Sequence, residues 1–161
     1  MINIRKSNST DSNEIWEILS VIIREGDSFA YSPQSTKDEM LSYWFHKSKH
    51  TYTAMLDGKI VGTFFIQDNQ PGLGSHIANA GYATSPKAYG QGIGKQMGIF
   101  SPSEARRLGY KAMQFNIVVK TNERAVKLWK DIGFTIIGEI PDAFQHSGLG
   151  FVNAYVMYQK L

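Results

Sequence analysis

The sequence predicts a mixed α+β fold (mixed α/β): a twisted mixed sheet of about seven strands with helices on both faces. Three observations carry this expectation. Two apolar runs flank Asp57-Gly58, the dipeptide of a two-residue type I′ hairpin. A strand–helix–strand pattern between residues 77 and 119 demands a parallel crossover, whereas strands that follow one another directly pair antiparallel. Apolar residues also recur at helical spacing, first as Ile15, Ile18, Leu19 and Ile22 and later as Ile93, Met97 and Phe100.

In chain order, a short strand at about 2–6 leads into the polar turn "SNSTDSN". There Asp11, with Glu14 three residues on, has the pattern of a capping box for the first helix. The segment "REGDSFAYSPQSTKDEM" is a loop with turn chemistry, yet it carries Phe29 and Tyr31, which a solvated loop does not need. Thr36 with Glu39 starts a second helix that runs to about Phe45. The hairpin around Asp57-Gly58 follows, then the strand "HIANAGYATS", ending before Pro86. The next helix is expected to kink or break at Pro102, whose ring clashes with the carbonyl of Gly98, and to resume up to a Gly109 cap. "KAMQFNIVV" is a strand and "NERAVKLWKDIGF" a helix stopped at Gly133. "TIIGEI" and "FVNAYVMYQKL" close the sheet, separated by a loop "PDAFQHSGLG".

The 161 residues are read as a single domain, 1–161, long enough to bury its own core. The net charge of +3 is spread along the chain, which argues against a nucleic-acid footprint. With no cysteine there is no thiol nucleophile, disulfide or thiolate metal site. The four histidines lack an HExxH frame, so no metal is expected. No apolar run reaches membrane-spanning length, and the expected location is the cytoplasm.

"PKAYGQGIGKQMG" is the segment with the strongest chemical signature. A Walker A loop would need glycine at 89 and a hydroxyl at 96, where the chain has Tyr89 and Gln96. A dinucleotide fingerprint needs Gly-x-Gly-x-x-Gly and an acidic end to the next strand, but here the spacing is Gly-x-Gly-x-Gly and the strand ends "IVVKTN". What remains is strand, proline, alternating glycines, helix. That order suits an anion nest, in which backbone N–H groups at a helix start converge on a phosphate no Cβ keeps away. The competing reading is a turn that only reverses the chain.

"TSPKAYGQGIGKQM" resembles the acetyl-CoA pyrophosphate loop of the GCN5-related N-acetyltransferases (GNAT). "TNERAVKLWKDIGF" resembles the second signature of that family, N-x-x-A-x-x-x-Y/W-x-x-x-G-F. The resemblance spans essentially the whole chain and implies an N-acetyltransferase, an acyltransferase using acetyl-CoA as cosubstrate. It assigns the loop Gly90, Gln91, Gly92, Ile93, Gly94 and Lys95 to the pyrophosphate, and the strand end Tyr82, Ala83 and Thr84 to the pantetheine arm. Asn122 matches the asparagine that reaches the pantetheine near the sulfur, and it is equally placed to cap its own helix. Tyr89 stands where Gln or Arg is usual, and Trp129 where many members carry a tyrosine acid. The closing segment resembles a branch of small-molecule and amino-acid-analogue acetyltransferases, whose members often have Asp where this chain has Asn153.

Acyl transfer to an amine requires a neutral amine, a donor for the developing oxyanion and a partner for the leaving thiolate. The candidate catalytic residues are Asn116, Asn122 and His146. Asn116 sits inside an apolar strand, as either a structural amide or a donor aimed into the cleft. His146 is either a base near neutral pH or an exposed loop residue. Glu25, Phe29, Tyr31, Asn153 and Tyr155 are the substrate-side candidates. The expected partner is a small-molecule amine, an amino acid or analogue, attacked directly in a ternary complex. A homodimer is compatible with the exposed edges, and no nucleic acid or membrane is expected. The alternatives are a protein N-terminal or lysine acetyltransferase, and a non-catalytic acyl-CoA sensor.

Overall fold

A computed structural model describes all residues, 1–161, and gives one seven-stranded sheet in the order β1-β2-β3-β4-β5-β7-β6. The strands are β1 (Asn3–Lys6), β2 (His50–Leu56), β3 (Lys59–Asp68), β4 (Ile77–Thr84), β5 (Ala112–Val119), β6 (Thr135–His146) and β7 (Gly150–Lys160). Four helices connect them: α1 (Ser12–Glu25), α2 (Lys37–Trp44), α3 (Ile93–Arg107) and α4 (Glu123–Asp131). All neighbours pair antiparallel except β4 and β5, joined through α3 as the crossover requires.

Two clusters of side chains cover the two faces. Ile15, Ile18, Leu19 and Ile22 of α1 and Trp44 of α2 pack on Ile60, Phe65 and Ala83. On the other face, Ile93 and Met97 of α3 and Val126 and Trp129 of α4 pack on Phe64, Met113, Phe115 and Met157. Adjacent residues of β3, Phe64 and Phe65, go to opposite clusters, as the two-residue period of a strand dictates.

Local signals set most boundaries. Asp57 and Gly58 both have positive φ, 50° and 78°, as a type I′ turn needs. Thr36 and Glu39 form the reciprocal capping box of α2. Gly109 and Gly133 follow α3 and α4 in left-handed conformations, and each helix closes with the paired bonds of a Schellman motif. These are Tyr110 N–H to Ala105 O with Gly109 N–H to Arg106 O, and Phe134 N–H to Trp129 O with Gly133 N–H to Lys130 O.

Three expectations are corrected. Asp11 is not a capping-box residue with Glu14, since its side chain makes no cap bond to α1. It accepts two 2.8 Å bonds from Arg5 and one from the Asn8 amide, and Thr53 Oγ1 lies 3.3 Å away, which ties β1, β2 and the start of α1 together. The helix does not break at Pro102. α3 is continuous through it, because Met97, Gly98, Ser101, Pro102 and Ala105 are all buried against the sheet and packing outweighs one lost bond. The loop expected at 141–150 is largely strand. β6 runs on to His146 past an irregularity at 141–143, where Asp142 has φ 49° and its N–H donates to Asn153 Oδ1 at 3.1 Å. β6 is an edge strand, where Pro141 costs no ladder bond.

Candidate active site

β4 and β5 pair only at Ile77–Ala112 and Ala78–Met113 and then diverge. Asn79 Nδ2 reaches Gln114 O at 3.0 Å and closes the fork. Past that point, the edge of β4 from Asn79 to Thr84 has no strand partner on the β5 side. β5 loses register with β7 between Phe115 and Val118, and Asn116 and Ile117 turn out to solvent. The divergence opens a cleft of about 1060 Å³.

The glycine loop lies at one end of this cleft. Gly90 and Gly92 have φ 81° and 77°, conformations that side chains rarely adopt, and a Cβ on either would meet only open space. α3 starts at Gly92 with no side-chain cap. The amides of Gly90, Gly92, Ile93, Gly94 and Lys95 donate to no backbone carbonyl, so five donors stand together at the positive end of a helix dipole. Gln91 is the exception: its N–H is spent on Ala88 O, and its side chain does not line the cleft. A diphosphate fits such a cradle in both charge and clearance.

The opposite wall is built by the α1–α2 loop. Phe29 stacks on Tyr31 at 5.4 Å, Tyr31 meets Tyr43 edge-on at 5.1 Å, and Tyr43 meets Phe65 at 5.9 Å. Phe65 lies over Gly81, where a Cβ would come within 2.7 Å of the ring, so β4 must be bare for the wall to close on it. Burial pushes the Tyr31 phenol up and keeps it neutral. Behind this wall Lys49 Nζ donates to Tyr43 O at 2.7 Å and lies over the Tyr43 and Phe65 rings. Burial draws its ammonium down to about 7, while the carbonyl and both ring faces favour the charged form. The turn after β6 is stitched to the end of α1: Ser147 N–H donates to Gly26 O at 2.9 Å and Ser147 Oγ to Glu25 O at 2.7 Å. Gly26, at φ 63°, is there because a Cβ would press on Ser147 at 3.1 Å.

The cleft brings together Glu25, Phe29, Tyr31, Tyr82, Thr84, Gly90, Gly92, Ile93, Gly94, Lys95, Asn116, Asn122 and His146. It excludes Asn153 and Tyr155. These lie with Lys120 and Lys127 in a separate groove beside α4, because alternation along β7 turns them to the face that carries Met157. Asn153 is occupied there, accepting from Asp142 N–H and donating to Glu139 at 2.7 Å. Ala83 points into the α1–α2 cluster, so only its backbone is available to the cleft.

Asn116 is exposed rather than buried, and its Oδ1 accepts from Gln114 Nε2. Asn122 caps α4 through Oδ1, which accepts from Ala125 N–H at 3.2 Å. In both, the amide nitrogen keeps its donors free. His146 Nδ1 accepts from the Gly148 and Leu149 amides at 3.0 and 3.2 Å. That tautomer leaves the proton on Nε2, making it a donor rather than a base in this arrangement. Trp129 packs between Tyr82 and Phe115, at 4.8 and 4.7 Å, as a core residue that also borders the cleft. Asp27, Asn79, Tyr43, Ser147 and Gly26 were not singled out from the sequence. Only Gly26, a glycine directly after a helical run, carried a local signal.

A sheet forked between parallel neighbours, with an uncapped glycine-rich helix start at the fork, defines the acetyltransferase class. The chain belongs to the acetyltransferase (GNAT) family, whose model matches residues 13–134. It is 39% identical over 107 residues to the N-acetyltransferase aca1 of Schizosaccharomyces pombe. That match covers 65% of this chain and 51% of the relative, so the chain spans about half the length of the curated relative. A GCN5-related N-acetyltransferase from Kribbella flavida is 35% identical over 99% of this chain and 98% of that one, with a TM-score of 0.95. A phosphinothricin acetyltransferase from Sinorhizobium meliloti, solved with AcCoA, shares the fold at 18% identity and a TM-score of 0.88, covering 99% of this chain and 88% of that one.

Proposed function

We propose that the protein is an acetyl-CoA-dependent N-acetyltransferase acting in the cytoplasm on a compact primary or secondary amine, with amino acids and their analogues as the first acceptors to test. The observation that carries this is the set of five unpartnered amides at the head of α3, beside the unpaired edge of β4. The acceptor proposal draws support from the aromatic wall of Phe29, Tyr31 and Tyr43, which suits a compact ligand, and from the phosphinothricin acetyltransferases that share the fold.

Bound acetyl-CoA supplies a thioester carbonyl open to attack by an amine. The nest of Gly90, Gly92, Ile93, Gly94 and Lys95 amides would hold the diphosphate, and the free edge of β4 would offer its backbone to the pantetheine arm. Asn122, whose Oδ1 is spent on its helix cap, would offer Nδ2 to that arm. Asn116 Nδ2 and His146 Nε2–H, both on the cleft lining, are the donors that would serve the developing negative charge. An alkyl ammonium titrates near roughly 10.4, so the acceptor must lose a proton to attack. Glu25 and Asp27 are the carboxylates on the acceptor wall and take that proton, directly or through water. Without a cysteine no acetyl-thiol intermediate can form on the protein, which supports direct transfer in a ternary complex. The open β6 edge, where Ile137 and Ile140 are exposed, is where a second copy would pair.

Calorimetric titration with acetyl-CoA, paired with thiol release over a panel of amino acids, polyamines and aminoglycosides, tests the reading. Binding with amine-dependent release supports it. Binding without release for any small amine redirects it to a protein acceptor or a sensor, and absence of binding removes it.

A further inference from the structure

Arg124 is the second residue of α4, and its guanidinium carbon lies 5.4 Å from the centroid of the Tyr89 ring. Tyr89 directly precedes Gly90, the first left-handed residue of the glycine loop. The contact therefore joins two segments of the cleft lining that lie 35 positions apart in the chain. Both residues line that cleft, and Arg124 enters none of the four ion pairs of the chain. Burial raises the Tyr89 phenol, the charges of Glu25 and Asp27 raise it further, and Arg124 lowers it.

A guanidinium held over an aromatic ring at this distance is attracted by the ring face and keeps its five N–H donors for another partner. A lysine here would be a mobile point charge, whereas the planar guanidinium is a rigid fork that matches two phosphate oxygens. The nearest anion-binding feature is the set of unpartnered amides that begins at Gly90.

Resting on the acetyl-CoA reading above, we propose that Arg124, laid on the Tyr89 ring, is the cation that closes over a phosphate of the coenzyme, with Tyr89 as its positioning residue. The nest holds the anion from below through the backbone, and Arg124 adds a side-chain fork from the α4 side. Tyr89 contributes its face rather than its hydroxyl.

The test is calorimetric titration of the intact protein with coenzyme A and with 3′-dephospho-coenzyme A, with steady-state kinetics alongside. Arg124→Gln is expected to weaken coenzyme A binding ~tenfold, raising KM for acetyl-CoA more than it changes kcat. Arg124→Lys should recover only part of that loss. Tyr89→Phe, which keeps the ring, should bind as the unaltered protein does, whereas Tyr89→Leu should lose several-fold. The double change Tyr89→Leu with Arg124→Gln should be no worse than Arg124→Gln alone. If dephospho-coenzyme A no longer senses Arg124, the fork is on the 3′-phosphate; if it does, the fork is on the diphosphate. Coenzyme A binding that is unchanged by Arg124→Gln overturns the proposal while leaving the cofactor reading intact. Additive losses in the double variant overturn the positioning role of Tyr89. An unaltered protein that binds no coenzyme A removes the reading beneath both.

Discussion

The two ends of the cleft are built in different ways. The phosphate end is made from a short run of chain, residues 84–95, joined by the first turn of α4. Its donors are backbone amides whose freedom follows from local geometry: two left-handed glycines and an uncapped helix start. The acceptor end draws on residues 25–31, Tyr43, Phe65 and the turn after His146, segments that meet only when the sheet has formed. One end is a motif and the other is an assembly. A motif fails when one backbone position is altered, while an assembly fails when any distant stitch is cut.

The sharpest way to break the first end alone is Gly92→Val. It places a β-branched side chain at φ 77° with its Cβ in the space the anion needs. Losing charge-assisted amide bonds should weaken acetyl-CoA binding by roughly 100-fold, read by calorimetry. A loss under threefold would mean the nest is not the phosphate site.

Asp11→Asn tests how far the assembled end depends on the core. The Arg5 guanidinium, bonded to both its oxygens, holds the Asp11 carboxyl below the ordinary carboxylate range. Its stabilisation is complete above the unfolded value and is lost as pH falls through the depressed folded value. Urea unfolding at neutral pH should show a loss of about 2–3 kcal/mol in the variant, since Arg5 is left without its partner. The gap between variant and parent should narrow as pH falls below about 4. A gap that stays constant with pH would rule out this ion pair as its source.

Gly26→Val cuts the stitch between α1 and the turn after β6, because the new side chain meets Ser147 in a strained conformation. The expected result is a roughly tenfold fall in kcat/KM for the amine, with acetyl-CoA affinity held within about twofold. Equal losses for both substrates would show that the two ends are not separable.

The smallest effect is expected from Trp129→Phe. It keeps an aromatic ring between Tyr82 and Phe115 and removes only the indole donor and some volume. Stability should fall by about 1 kcal/mol, and kcat should stay within about threefold. A drop of a hundredfold in kcat would make the indole N–H part of the chemistry.

Legibility in the sequence divides along the same line. Asp57-Gly58, Thr36 with Glu39, and Gly109 and Gly133 announce their structures because the cause lies within a few residues. Asp11 misleads because a residue suited to capping is claimed by Arg5 and Thr53, whose approach depends on strand pairing. Asn153 and Tyr155 were expected on the substrate side from within the closing strand, but alternation along β7 turns them to the groove beside α4, away from the cleft.

The sequence by itself determined the α+β order of elements, the glycine nest, the cap at Asn122 and the absence of thiol chemistry. Each follows from local dihedral preference, periodicity or residue type. Only the tertiary structure decided that Pro102 lies within a continuous helix and that Asn116 faces the cleft. It also decided that Ser147 holds the acceptor wall to α1, and that Arg124 lies on Tyr89. Those outcomes depend on contacts between residues far apart in the chain, where packing overrides local preference and no short stretch of sequence contains both partners.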